Sequence, residues 1–133
     1  MRVFLDANVL LTAAHNPDGK AAFVISLGAE GLLRLATSAY AQEEARRNLE
    51  RKSPKSLAEF VRQSKAIHLI ADDLGIACPA DLAEKDWPIY RAACACKADV
   101  LLTGDLRDFG FLMNAPELRK LWKTPSFCAR MAL

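Results

Sequence analysis

Long hydrophobic runs are missing from this chain. None approaches the roughly 20 consecutive apolar residues that cross a bilayer, so no membrane span is expected. A secretory leader is not expected either. The opening stretch "MRVFLDANVLLTAA" carries Asp6 and Asn8 where such a leader needs an unbroken apolar core. Cysteine is sparse: Cys78, Cys94, Cys96 and Cys128 match no zinc-ligand spacing. On a helix Cys94 and Cys96 would point about 200° apart, too far to share a metal easily. The four thiols read as reduced core residues, which fits a cytoplasmic location. A strong charge of one sign is also lacking, since the net charge of +2 is too small to imply a nucleic-acid partner by itself. Histidine occurs only at His15 and His68, neither beside a serine or cysteine motif, so no catalytic role falls to them.

What is present is an ordinary globular composition, 52% hydrophobic and 26% charged over 133 residues. A single domain spanning residues 1–133 is expected, with neither repeats nor an interdomain linker. Val3 to Leu5 and Val100 to Thr103 read as short buried strands, and Leu32 to Ala36 and His68 to Ala71 as further short strands. Helices are expected over Asn8 to Ala14, Lys20 to Ala29, the segment after "TS" at 37–38 up to Lys52, Ser56 to Ala66 and Trp87 to Lys97. The tail segment "PELRKLW" reads as a further helix. Apolar strands alternating with helices imply an α/β layer fold built on a parallel sheet.

Two of these strands end in a carboxylate: "VFLD" at Asp6 and "VLLTGD" at Asp105. In open parallel sheets ligands bind beyond the carboxyl ends of the strands. Two acids meeting there repel each other, and a hard divalent cation such as Mg²⁺ or Mn²⁺ removes the conflict. Glu44, near the start of the helix after the second strand, and Asp86, at the start of the Trp87 helix, are suited to the same site. Glu43 competes with Glu44, about 100° away around the helix, and Asp99 and Asp108 compete at the other end. Each acid also has a plainer reading: Asp6 and Asp86 as helix caps, Glu44 as part of a solvated face. Arg46, Arg47 and Arg51, with Lys52 and Lys55, form a basic run beside Glu44. It is either a track for RNA phosphates or a soluble surface with Glu–Arg pairs. Arg107, Arg119, Lys120 and Lys123 make a second basic group, and Trp87 and Trp122 read as packing residues.

"FLDANVLL", "EEARRNL" and "KDWPIYRAACACKADVLLTGDLRDF" together resemble the four motifs of the PIN-domain family, in order and spacing, from residue 3 to about residue 112. The resemblance implies a three-layer α/β/α domain with a short central parallel sheet of four to five strands. It implies Mg²⁺- or Mn²⁺-dependent endoribonuclease activity. The family's acids map onto Asp6, Glu44, Asp86 and Asp105, and its supporting polar positions onto Asn8 and Thr103. Small members of the family include toxins of toxin–antitoxin pairs, so an antitoxin protein is an expected partner beside the RNA substrate. A homodimer is expected as well. Two other functions share part of this pattern. A phosphatase of the haloacid dehalogenase type also opens with a strand ending in Asp, but it would need an acid where Asn8 stands. A non-catalytic PIN-like module binding RNA or protein would be favoured by loss of the acids, and all four are present.

Overall fold

The computed structural model describes residues 1–71, 74–78, 80, 82–103 and 120–123. The elements run β1 (Arg2–Leu5), α1 (Ala7–His15), α2 (Lys20–Ala29), β2 (Arg34–Ser38), α3 (Ala39–Lys52), α4 (Leu57–Ser64), β3 (Ile67–Ile70), α5 (Trp87–Ala95), β4 (Val100–Thr103) and β5 (Lys120–Lys123). Short 3₁₀ turns at Pro54–Ser56 and Glu84–Asp86 lead into α4 and α5. The strands form one parallel sheet in the order β3-β2-β1-β4-β5. The α/β class and the parallel sheet match the expectation from sequence.

At the centre of the sheet both faces are covered, which is why β1 and β4 are continuous apolar runs rather than alternating ones, while edge strand β3 stays partly exposed. Val3, Leu5, Leu35, Val100 and Leu102 pack on one side with residues of α1, α2, α3 and α4, including Val9, Ala13, Val24, Leu49 and Phe60. Phe4, Ala36 and Leu101 pack on the other side with Ile89, Tyr90, Ala92 and Ala93 of α5. The result is the three-layer arrangement. Among the described residues no helix is long and apolar enough to cross a membrane.

One expected element is different. Lys120 to Lys123, read as part of a helix, form β5 and pair in parallel with β4 from Val100↔Lys120 to Thr103↔Lys123. Local spacing favoured a helix; an open ladder along β4 overrides it, as tertiary context commonly does for weak local preference. Smaller shifts occur at boundaries: β2 begins at Arg34 rather than Leu32, and α4 at Leu57 rather than Ser56.

Candidate active site

Asp6 follows the last residue of β1 and occupies the N-cap of α1, with extended backbone (φ −72°, ψ 160°). Its Oδ1 accepts a hydrogen bond from the Ala7 N–H at 2.7 Å, and its Oδ2 accepts one from Thr103 Oγ1 at 2.7 Å. Asp6 is 7% exposed and Thr103 is fully buried. The carboxylate therefore does two things at once. It caps α1, as the plain reading required, and it is tied across the sheet to the end of β4. The β1–β4 register explains the tie: Leu5 pairs with Leu102, so the next residues, Asp6 and Thr103, lie side by side. The Asp6 N–H continues the ladder by donating to Leu102 O at 3.1 Å. Asp105, two residues beyond Thr103, lies outside the described residues, as does Asp108.

Asp99, a competitor in the sequence, belongs to the opposite edge. Its N–H donates to Arg2 O at 2.8 Å, and its Oδ2 accepts from the Arg2 N–H at 2.9 Å, where β1 and β4 begin. Four residues of strand, about 13 Å, separate that position from Thr103. The same bond fixes the direction of α5. Its C-terminal end leads through Cys96 to Asp99 at the N-terminal edge of the sheet, so its start, with Asp86, points towards the C-terminal edge. Asp86 is half-buried and takes the N-cap position of α5, but its side chain makes no capping hydrogen bond there. The plain cap reading of Asp86 thus lacks its defining bond.

α3 starts at the same edge. Ser38 Oγ accepts from the Ala41 N–H at 2.9 Å and caps the helix. Ala41, Ala45 and Leu49 form its buried stripe, and Glu44 lies half-buried beside that stripe. Glu43 is exposed and is gripped by Arg46, whose Nε and Nη2 reach its two carboxylate oxygens at 2.8 and 2.6 Å. The guanidinium holds the Glu43 carboxyl below the usual range for a glutamate. Arg46 also donates to Glu50 at 2.8 Å. Glu43 thus lies in an exposed pair with Arg46, whereas Glu44 is half-buried. Arg46 therefore shares its charge with Glu43 and Glu50, the kind of Glu–Arg pairing expected of a solvated face. Arg47 and Arg51 remain exposed on α3, with Arg51 donating to Asn48 at 2.9 Å. Asn8 is exposed in the first turn of α1, next to Asp6, and its carbonyl accepts from Thr12 Oγ1 at 2.7 Å.

Asp6 and Thr103 are thus brought into contact, while Glu44 and Asp86 sit on helices that start at the same edge. Among the described residues no three His, Cys, Asp or Glu side chains gather closely enough to hold a metal ion. The donor chemistry at Asp6 is nonetheless that of a hard-cation ligand. It is a buried carboxylate held in one orientation, and a carboxylate has about four lone-pair sites to share among its partners. One residue that the sequence reading passed over is Thr37. Part of β2, it donates from Oγ1 to Leu5 O at 2.8 Å.

The family model of the PIN domain matches residues 2–107. The chain belongs to the PIN-domain family. Its fold is similar to a chain in the crystal structure of VapBC2 from Rickettsia felis bound to a DNA fragment from their promoter. That match has a TM-score of 0.67 and 16% identity, and covers 92% of this chain and 98% of that one. It is also similar to a chain in VapBC-1 from nontypeable Haemophilus influenzae, with a TM-score of 0.57 and 14% identity over 94% and 99% of the two chains. No curated protein matches the chain in sequence.

Proposed function

We propose that this PIN domain is a metal-dependent endoribonuclease that works as the toxin of a toxin–antitoxin pair in the cytoplasm. The observation that carries the reading is Asp6, buried at the C-terminal end of β1 and fixed by Thr103 of the neighbouring strand. Asp105, the second acid of the proposed site, follows Thr103 by two residues in the sequence. The likeness to chains of two VapBC structures supports an antitoxin partner.

Asp6 and Asp105 would hold Mg²⁺ or Mn²⁺ directly, with Glu44 and Asp86 completing the shell or holding the attacking water. When bound, the ion supplies neutralisation of the anionic phosphodiester, a lowered water pKa and support for the leaving oxygen. Thr103 and the Ala7 N–H keep the Asp6 carboxylate in place before substrate arrives, which is the preorganisation that catalysis needs. Arg46, Arg47 and Arg51 would attract RNA phosphates, Arg46 in exchange for its exposed pairs with Glu43 and Glu50.

The test is incubation of the purified chain with RNA and Mg²⁺ or Mn²⁺. Internal cleavage is expected, lost in excess EDTA and lost in Asp6→Asn. Cleavage that persists in EDTA overturns the metal mechanism. RNA binding without cleavage at saturating metal returns the chain to a non-catalytic binding role.

A further inference from the structure

The sheet splits just before Asp6. β1 and β2 are paired from Arg2↔Arg34 to Phe4↔Ala36, and the register ends there. On the other side β1 stays paired with β4 through Leu5↔Leu102. At the split the Leu5 carbonyl would lose its neighbour on the β2 side. Thr37, 1% exposed, fills that place: its hydroxyl spans the gap and donates to Leu5 O at 2.8 Å. The Leu5–Asp6 peptide is then held from both sides. Its oxygen is bonded to the Thr37 side chain of β2, and its N–H to Leu102 O of β4 at 3.1 Å. A peptide unit is planar, so fixing both of its polar atoms fixes the plane and with it the direction in which Asp6 leaves the strand.

The geometry points to Thr37 as a positioning residue for the Asp6 carboxylate, acting through the Leu5–Asp6 peptide. This rests on the reading of Asp6 as a metal ligand. Thr37 touches neither substrate nor metal. Its hydroxyl sets the orientation of the backbone, while Thr103 and the Ala7 N–H set that of the carboxylate. Partners of this indirect kind are worth about 10–100-fold in metal affinity where they have been removed from other sites.

The experiment compares wild type, Thr37→Val and Thr37→Ser, each checked for folding by circular dichroism. Mn²⁺ affinity is measured by isothermal titration calorimetry, and RNA cleavage separately. Val keeps the shape and loses the donor; Ser keeps the donor. Thr37→Val is expected to bind Mn²⁺ at least about 10-fold more weakly. Its kcat should fall while its KM for RNA stays near that of wild type, and Thr37→Ser should restore both. A folded Thr37→Val protein with unchanged Mn²⁺ affinity overturns the inference. Should Thr37→Val not fold, Thr37→Cys, a weak donor close in shape to Ser, takes its place; equal affinity in the Cys and Ser variants overturns it likewise. The calorimetry needs no cleavage. Wild-type Mn²⁺ binding without ribonuclease activity therefore removes the proposed function alone, and absence of Mn²⁺ binding removes both.

Discussion

At the residue scale, the cap that Asp6 makes on α1 is compatible with the role proposed for its carboxylate. Capping and metal ligation are usually set against each other as explanations of an acid at a helix start. Here the Ala7 N–H uses one oxygen and Thr103 the other, and both bonds make the carboxylate more rigid. Thr103 is the more informative partner, because it is fully buried and its hydroxyl has a charged acceptor. Thr103→Val keeps the shape and removes the bond. Hydrogen bonds to charged groups contribute about 1.5–3 kcal/mol, so the variant should lose about that much stability in urea unfolding. A loss well under 1 kcal/mol would mean that another donor takes over the carboxylate. How much of this was legible in advance follows from the bonds themselves. Asp6, Asn8 and Thr103 stand out in a sequence because a polar residue at the end of an apolar run is conspicuous. Thr37 does not, because its partner is 32 residues away and the pairing exists only once the sheet has split.

At the element scale, α3 separates neighbouring acids by their surroundings. Glu44→Gln should strongly reduce cleavage and Glu43→Gln should not; the reverse result would shift the functional face by one residue. The Glu43 substitution has its own signature. The Glu43 carboxyl is held below its ordinary value of 4.5, so the pair stabilises the fold fully above about pH 4.5 and less as the pH falls below it. The melting-temperature difference between wild type and Glu43→Gln should therefore shrink towards acid, and it should be small and salt-sensitive, since the pair is exposed. α2 offers a test of packing against propensity. Replacing Gly28 with Ala inside a helix would ordinarily gain about 1 kcal/mol. Here a Cβ would press into Leu35 of β2, with Cγ at 2.6 Å, and Leu35 is 1% exposed and cannot step aside. Overpacking costs about 1–3 kcal/mol, so Gly28→Ala should be destabilising on balance in thermal unfolding. A stabilised variant would show that α2 can slide on the sheet. Elements with strong local signals, such as α2 and β4, have the bounds the sequence suggested. β5 does not, because "KLWK" becomes a strand only through the free edge of β4.

At the scale of the whole molecule, the question is what covers the apolar surface that remains. Three-layer packing hides Val3, Phe4, Leu5, Leu101 and Leu102 completely or nearly so, yet Phe23 is 46% exposed, Val61 60% and Leu69 53%. Single exposed side chains of this kind are normal and identify no interface. The sheet edge gives a sharper constraint. β3 closes one side of the sheet and is only four residues long, and short edge strands resist pairing with a second sheet. A self-associating form is therefore expected to meet through helices, as a twofold pair, the commonest arrangement of identical subunits. Light scattering of the pure chain at micromolar concentration should give twice the 14.6 kDa of one chain. Leu69→Lys, which adds a charge to the β3 edge, should leave that mass unchanged. A mass of one chain at every concentration would remove the homodimer, and a dimer broken by Leu69→Lys would move the contact to the sheet edge.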